Sequence, residues 1–402
     1  MIQNLPRLAY VGEVPVRNIS AGPALLYRLL ETYPRERLTI AESLDNAPNP
    51  KLQLPVKHER FFLLNRRLIR TRFTRLYSSW IFLRAPACGR RVASKLRSAR
   101  PDAILGVAHG FGWIVAAAAA RALQVPFHLI VHDHWRLYMS LLPGLDPKAH
   151  TLFENVYRQA STRLPVSPDM ESHYRKLYGA SGMVVYPSRG ANATELHAPT
   201  LRPPVSDAFV FAYAGSAPSI GQRRTLADFA NATADLGVRL KIYQGLTLDQ
   251  LRTVGLRTQN VDIVPFRPVE ALHQDLIESA DAMYLPMSFA PEDRANVELC
   301  FPSKLTDYTV AGLPILVRAP RYGTATHWAQ SYPEAAALVT DEDPAGLRAE
   351  VRKLIENIPY RHALAQGALT TGHRLFSQAA VFKTFADALR KNWPPPSRAG
   401  AN

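Results

Sequence analysis

The chain has 402 residues, 47% apolar and 20% charged, and its 48 Lys and Arg against 33 Asp and Glu leave it at +15. That length exceeds what one hydrophobic core fills, so two domains of roughly 200 residues are expected, and the composition excludes a fibrous or wholly disordered chain. The longest apolar run, residues 113–120, falls short of the about 20 residues that cross a bilayer. A chain opening MIQNLPRLAYVG with two distant cysteines, Cys88 and Cys300, reads as a protein of the reducing cytoplasm.

In chain order, residues 8–11 form an apolar strand, followed by the loop GEVPVRNIS and the helix AGPALLYRLLETY with Leu25, Leu26, Leu29 and Leu30 on one face. Ser20 and Gly22 can open that helix while letting a ligand approach the backbone. A second strand covers 38–41. Between 57 and 100 thirteen Lys or Arg accompany only Glu59, and in RRLIRTRFTRLY the basic Arg66, Arg67, Arg70 and Arg75 alternate with Leu68, Phe73 and Leu76. Such interleaving at helical spacing suits an anionic membrane surface or a lipid-phosphate acceptor. A nucleic-acid backbone attracts the same charge, and a plain solvated basic face is the third reading.

From Asp102 the strand and helix alternation becomes regular: DAILGVA, GFGWIVAAAAARAL, FHLIVH, a helix at 147–160, RLPVS, DMESHYRKLYG and MVVYPS. His109 follows one strand; His132, Asp133, His134 and Trp135 follow another, at the strand ends where open α/β sheets hold ligands. His-Asp-His could alternatively supply two zinc ligands, or His132 could simply stabilise its loop. Residues 189–206, rich in Pro, Ala and Thr, form a linker between domains 1–188 and 207–375. The second half repeats the alternation with AFVFAYAG, a helix at 225–236, VRLKIYQG, a helix near Leu248, VDIVPF, VEALHQDLIESA and DAMYLPM. A strand near Ala337 and three helical stretches follow; the last, 376–393, is expected to pack back on the first domain, ahead of a disordered 394–402 tail.

Residues 301–316, FPSKLTDYTVAGLPIL, hold the densest chemistry. Pro302 suits the first helical position, and Gly312 the left-handed residue that ends the helix about ten residues later. Ser303 and Lys304 then lie at a helix start suited to phosphate, with Asp307 one turn on along the same face. A phosphate site with an acid beside it fits a ligand carrying phosphate and hydroxyls; an ordinary capped helix of an α/β core is the alternative.

At ADAMYLP and PSKLTDYTVAGLPIL the second half resembles the C-terminal domain of GT-B glycosyltransferases, particularly retaining glycosyltransferase family 4. LPVSPDMESHYRKLYG, VVYPSRGAN and FAYAGSAPSIGQRRTLADFA resemble other family segments in order and spacing. The resemblance implies two Rossmann-like α/β domains with parallel sheets facing across a cleft, and a nucleotide-sugar donor held mostly by the second. Carried over by position, Asp307 would hold ribose hydroxyls, and Pro302, Ser303 and Lys304 would lie at the diphosphate. Gly215 and Ser216 would form the phosphate loop, Arg223 would replace the usual cation, and His132 would approach the transferred sugar beside Gly22. The family's second glutamate is Asp307 here. The position eight before it is Leu299; Glu298 and Glu292 lie nearby, and either could serve as the sugar-contacting acid if the loop is shifted. The usual Gly-Arg is Gly215-Ser216, and the first-loop double glycine is Ala21-Gly22.

The resulting expectation is a hexosyltransferase acting with retention on a cell-surface polysaccharide or lipid-linked acceptor. It would need no metal or other cofactor, would not bind nucleic acid, and would be cytoplasmic or peripheral at the inner face of the plasma membrane. Arg66, Arg67 and Arg70 would form its acceptor or membrane face. A nucleotide-sugar epimerase of the same fold and a non-catalytic lipid- or RNA-binding relative are the alternatives.

Overall fold

The computed structural model describes residues 5–19, 21–44, 49–69, 71–202, 208–243, 245–265 and 269–391. Two series of short apolar segments, separated largely by helices, form two six-stranded parallel sheets. The chain divides into two compact units, residues 1–191 with 378–402, and residues 192–377.

In the first unit the strands are β1 (Leu8–Gly12), β2 (Leu38–Ser43), β3 (Lys57–Phe61), β4 (Ala103–Val107), β5 (Phe127–Val131) and β6 (Thr162–Pro165), ordered β3-β2-β1-β4-β5-β6. Its helices are α1 (Ala21–Leu30), α2 (Arg66–Ile69), α3 (Thr74–Leu96), α4 (Gly112–Leu123), α5 (Asp146–Gln159) and α6 (Pro168–Tyr178). β1, β4 and β5 are buried along their whole length, as parallel strands between helical layers must be. The long α3 packs on α4 so closely that a Cβ at Gly89 would lie 2.5 Å from the Val115 carbonyl oxygen and 2.6 Å from the Ala118 Cβ. Glycine at that position permits the contact.

In the second unit the strands are β7 (Phe209–Ala214), β8 (Val238–Tyr243), β9 (Val261–Val264), β10 (Ala282–Pro286), β11 (Ile315–Arg318) and β12 (Ala337–Val339), ordered β12-β11-β10-β7-β8-β9. The helices are α7 (Ile220–Thr233), α8 (Leu248–Arg252), α9 (Val269–Ser279), α10 (Arg294–Leu299), α11 (Lys304–Tyr308), α12 (Thr324–Ser331), α13 (Pro344–Glu356) and α14 (Ile358–Phe376). Then α15 (Gln378–Arg390) belongs to the first unit, where Val381, Phe385 and Leu389 join the core of Leu8, Tyr10, Leu26 and Leu30. Taken from its own first strand, the second sheet repeats the order of the first. Each reverses direction at one point, between β1 and β4 or between β7 and β10, and ligands of open α/β sheets gather at the strand ends there.

Three local expectations need correction. Residues 57–61, read only as part of a basic stretch, form edge strand β3. Residues 183–188 make no strand, although Met183 and Val185 donate their amides to the carbonyls of Arg163 and Pro165 on β6. The basic stretch does form helices: α2 ends at Ile69 and α3 starts at Thr74, with Thr71 and Thr74 hydroxyls bonding to the Leu68 and Ile69 carbonyls between them. Finally, α7 begins at Ile220, earlier than the 225 read from periodicity, because the Ser219 hydroxyl caps it by accepting from the Gln222 amide. Among the described residues no helix is long and apolar enough to cross a membrane.

Candidate functional site

The switch point of the second sheet collects most of the residues singled out from sequence. After β7 the chain turns at Gly215, whose φ of +135° belongs to glycine alone. The Lys304 side chain lies across this turn: a Cβ at Gly215 would sit 2.3 Å from the Lys304 Cε. Two tyrosines fix the geometry. Tyr308 on α11 donates its hydroxyl to the Ala214 carbonyl (3.0 Å) and accepts from the Ala214 amide (2.9 Å), which ties α11 to the end of β7. Tyr213 donates to the Ser216 carbonyl (2.6 Å), and its ring faces the Lys304 ammonium at 5.4 Å.

Lys304 is partly buried and, among the described residues, has neither a carboxylate nor a hydrogen-bond acceptor for its ammonium. Loss of hydration lowers its pKa to about 8. A cation held without a carboxylate beside a glycine turn can take an anion.

The helix behind it is shorter than its sequence implies. α11 runs from Lys304 to Tyr308, Ser303 is the residue before it and makes no side-chain cap, and Pro302 is buried one position earlier. Gly312 does adopt the left-handed conformation at φ +67°. The shortening has a local cause, since Thr306 and Thr309 return their hydroxyls to the Ser303 and Leu305 carbonyls and tighten the turns. Asp307 lies half-buried on this segment.

Arg223 spends two donors on the loop itself, Nε to the Ala217 carbonyl (3.1 Å) and a terminal nitrogen to that of Pro218 (3.0 Å). It braces the turn that follows Gly215 and Ser216. Ser216 is exposed. Glu298 stands on the exposed side of α10 with Arg294 at 3.5 Å, Glu292 is exposed, and Leu299 is buried. The acid that does meet the loop is Asp293, which accepts from the Ser219 hydroxyl at 2.7 Å. A Cβ on Gly221 would lie 2.5 Å from the same carboxylate oxygen and 2.0 Å from the Ser288 hydroxyl, so α7 starts hard against residues 288–293. Asp293 and Gly221 were missed in the sequence because neither falls on a motif position.

In the first unit, Gly22 and His132 are brought together: a Cβ at Gly22 would be 3.6 Å from the His132 Cε1. His132 is buried and its Nε2 meets the Asp133 carboxylate at 3.3 Å. His109, from the neighbouring strand end, lies 5.8 Å from it between ring centres and packs on Tyr138 at 4.0 Å. The ligand atoms of His109, His132 and Asp133 lie within 4.8 Å of one another, so these three could hold a divalent ion. His134 carries a lowered pKa from burial and nearby cations. Arg67 is exposed on α2, Arg66 begins that helix, and Ser20 and Arg70 lie outside the described residues.

Residues 41–188 match the family model described as Glycosyltransferase Family 4. No curated protein matches the chain in sequence. Among solved structures, Anabaena HepE, crystallised with UDP and glucose, is 16% identical with a TM-score of 0.65 over 96% of this chain and 99% of its own. Sucrose-phosphate synthase of Thermosynechococcus elongatus is 11% identical with a TM-score of 0.63, over 95% and 98%. The α,α-trehalose 6-phosphate synthase of Burkholderia multivorans is 12% identical with a TM-score of 0.64, over 96% and 97%. Fold and family match together define a glycosyltransferase of the GT-B class. More particularly, residues 41–188 of the first unit are similar in sequence to glycosyltransferase family 4.

Proposed function

We propose that this enzyme moves a hexosyl group from a nucleotide-sugar donor to a lipid-linked or cell-surface polysaccharide acceptor, with retention at the anomeric carbon. The observation that carries the donor assignment is the unpaired, desolvated Lys304 ammonium lying across Gly215 at the sheet's switch point. A diphosphate supplies the missing counter-charge. HepE binds UDP and, in another crystal, UDP-glucose, which makes UDP the first nucleotide to try.

In the reaction the bond from the sugar's anomeric carbon to the diphosphate oxygen breaks, and its electron pair leaves with the nucleoside diphosphate. Lys304 offsets the negative charge growing on that oxygen. The acceptor hydroxyl bonds to the same carbon from the same side, and its proton passes to the departing phosphate. Asp307 is assigned to the ribose hydroxyls and His132, beside Gly22, to the transferred sugar. The charge stabilisation comes from protein groups, so no metal is assigned to the step. The basic stretch between 57 and 100 motivates the lipid-linked acceptor and a peripheral location at the inner membrane face.

A thermal-shift screen across nucleoside diphosphates tests the donor site, because a ligand of the folded state raises the melting temperature. UDP is expected to stabilise the protein and Lys304→Ala to abolish the shift. With the stabilising donor in hand, unchanged turnover in both His132→Ala and Lys304→Ala would overturn the assignment.

A further inference from the structure

The outer side of α3 takes no part in the bond-making steps of sugar transfer. Its inner side, including Ile81, Phe82, Ala85, Gly89 and Val92, is buried. The opposite side, at helical spacing, would ordinarily be polar throughout. Here it begins with Phe73, Leu76, Trp80 and Leu83, all exposed, Leu83 by 64% and Leu76 by 57%. It continues with Arg84, Arg90 and Arg91.

No acidic residue occurs from 71 to 100, and among the described residues Arg72, Arg75, Arg84, Arg90 and Arg91 have no carboxylate partner. Trp80 is held in place, stacked on Tyr77 at 5.7 Å and covered by the Arg84 guanidinium at 4.5 Å. A fixed tryptophan among leucines, bordered by unpaired arginines, matches the boundary between lipid headgroups and acyl chains.

The loop after β5 connects α3 to the histidine pair. The Leu142 amide donates to the Ser79 hydroxyl on α3 at 3.0 Å, which docks the loop after β5 against this helix. That loop exposes Leu137, Tyr138 and Leu142, and Tyr138 packs on His109 beside His132. One loop therefore touches both α3 and the histidine pair within one unit.

We propose that the outer side of α3 with the 137–142 loop is a membrane-seating surface whose occupant is an anionic lipid bilayer. The apolar residues enter the interface and the arginines hold headgroup phosphates. The seating stands on α3 itself; its use to meet a lipid-linked acceptor rests on the function proposed above.

Sedimentation of the full chain with phosphatidylcholine vesicles, with and without about 30% phosphatidylglycerol, tests it. Binding is expected to the anionic vesicles only. Trp80→Ser with Leu83→Ser should weaken it about tenfold, since these side chains would no longer be buried in the interface. Arg84→Glu with Arg91→Glu should abolish it. These positions are exposed, and an unchanged UDP thermal shift would show that each variant is folded.

Equal binding by wild type and both variants, or none to anionic vesicles, overturns the proposal. So does binding to single-stranded RNA, unaffected by Trp80→Ser/Leu83→Ser, in place of vesicles. Vesicle binding in a wild type that no nucleoside diphosphate stabilises would leave the seating intact and remove the donor site. A UDP shift without vesicle binding would do the reverse.

Discussion

Titration of Lys304 gives the most direct test of the donor site. Its amine is lowered from 10.5 to about 8 by burial, and lacks a carboxylate to reverse that. The charged form is disfavoured by at most about 3 kcal/mol, and by less where solvent reaches the amine. A bound diphosphate returns the pKa toward its ordinary value, so above pH 8 binding must take up a proton. Affinity is then nearly flat below pH 8 and falls above it, by about tenfold between pH 7 and 9, because the charged fraction drops from about nine-tenths to one-tenth. Isothermal titration of UDP at several pH values, in buffers of different ionisation enthalpy, reads both effects. About half a proton should be taken up per UDP at pH 8. Lys304→Met should bind more weakly with no such slope, which corrects for titration of the nucleotide itself. Wild-type affinity matching the variant's pH dependence, with no proton uptake, would refute the argument.

Gly215→Ala should cost about 1–3 kcal/mol of stability from its backbone conformation alone. The new methyl would also displace Lys304, so calorimetry should show UDP affinity down by at least about tenfold. Tyr308→Phe leaves the Ala214 amide and carbonyl without their hydroxyl partner in a buried position, and urea unfolding should show a loss of about 1–3 kcal/mol. Burial lowers His128, at 2.7 Å from the Thr162 hydroxyl, to a pKa of about 4. A folded pKa below the unfolded one means that its contribution is complete above pH 6.5 and is lost as pH falls toward 4, by up to about 3 kcal/mol. Unfolding midpoints should therefore fall more steeply across that window in wild type than in His128→Gln.

The sheets were legible because parallel strands advertise themselves. DAILGVA, FHLIVH and AFVFAYAG are continuous apolar runs, and each proved buried as β4, β5 and β7. Edge strand β3, KHERF, carries the opposite signal: one side of an edge faces water, so three of its five residues are charged and its fifth alone is buried. The point where the basic stretch breaks into two helices was hidden for another reason. Periodicity across RRLIRTRFTRLY records side-chain spacing but is blind to the Thr71 and Thr74 hydroxyls that compete for helix carbonyls and break the segment. The same competition by Thr306 and Thr309 shortened α11, though the pattern around Pro302 and Gly312 suggested twice its length.

Within the site, residues tied to backbone conformation were readable and those placed by tertiary packing were not. Gly215 and Lys304 were found from a strand end and a helix start, and the fold sets them against each other. The acids show where spacing runs out. Counting back from Asp307 leads to Leu299, whose side chain is buried, and its neighbour Glu298 points outward to Arg294. A carboxylate nevertheless reaches the loop after β7, at Asp293, because Ser219 caps α7 and Gly221 lacks a Cβ, which lets residues 288–293 close against it. No spacing rule within 291–307 contains that information, since it depends on a contact between segments 74 residues apart. Asp293 accepts from the hydroxyl that caps α7, so Asp293→Ala should lower the urea unfolding midpoint, whereas Glu298→Ala, at an exposed position, should leave it unchanged.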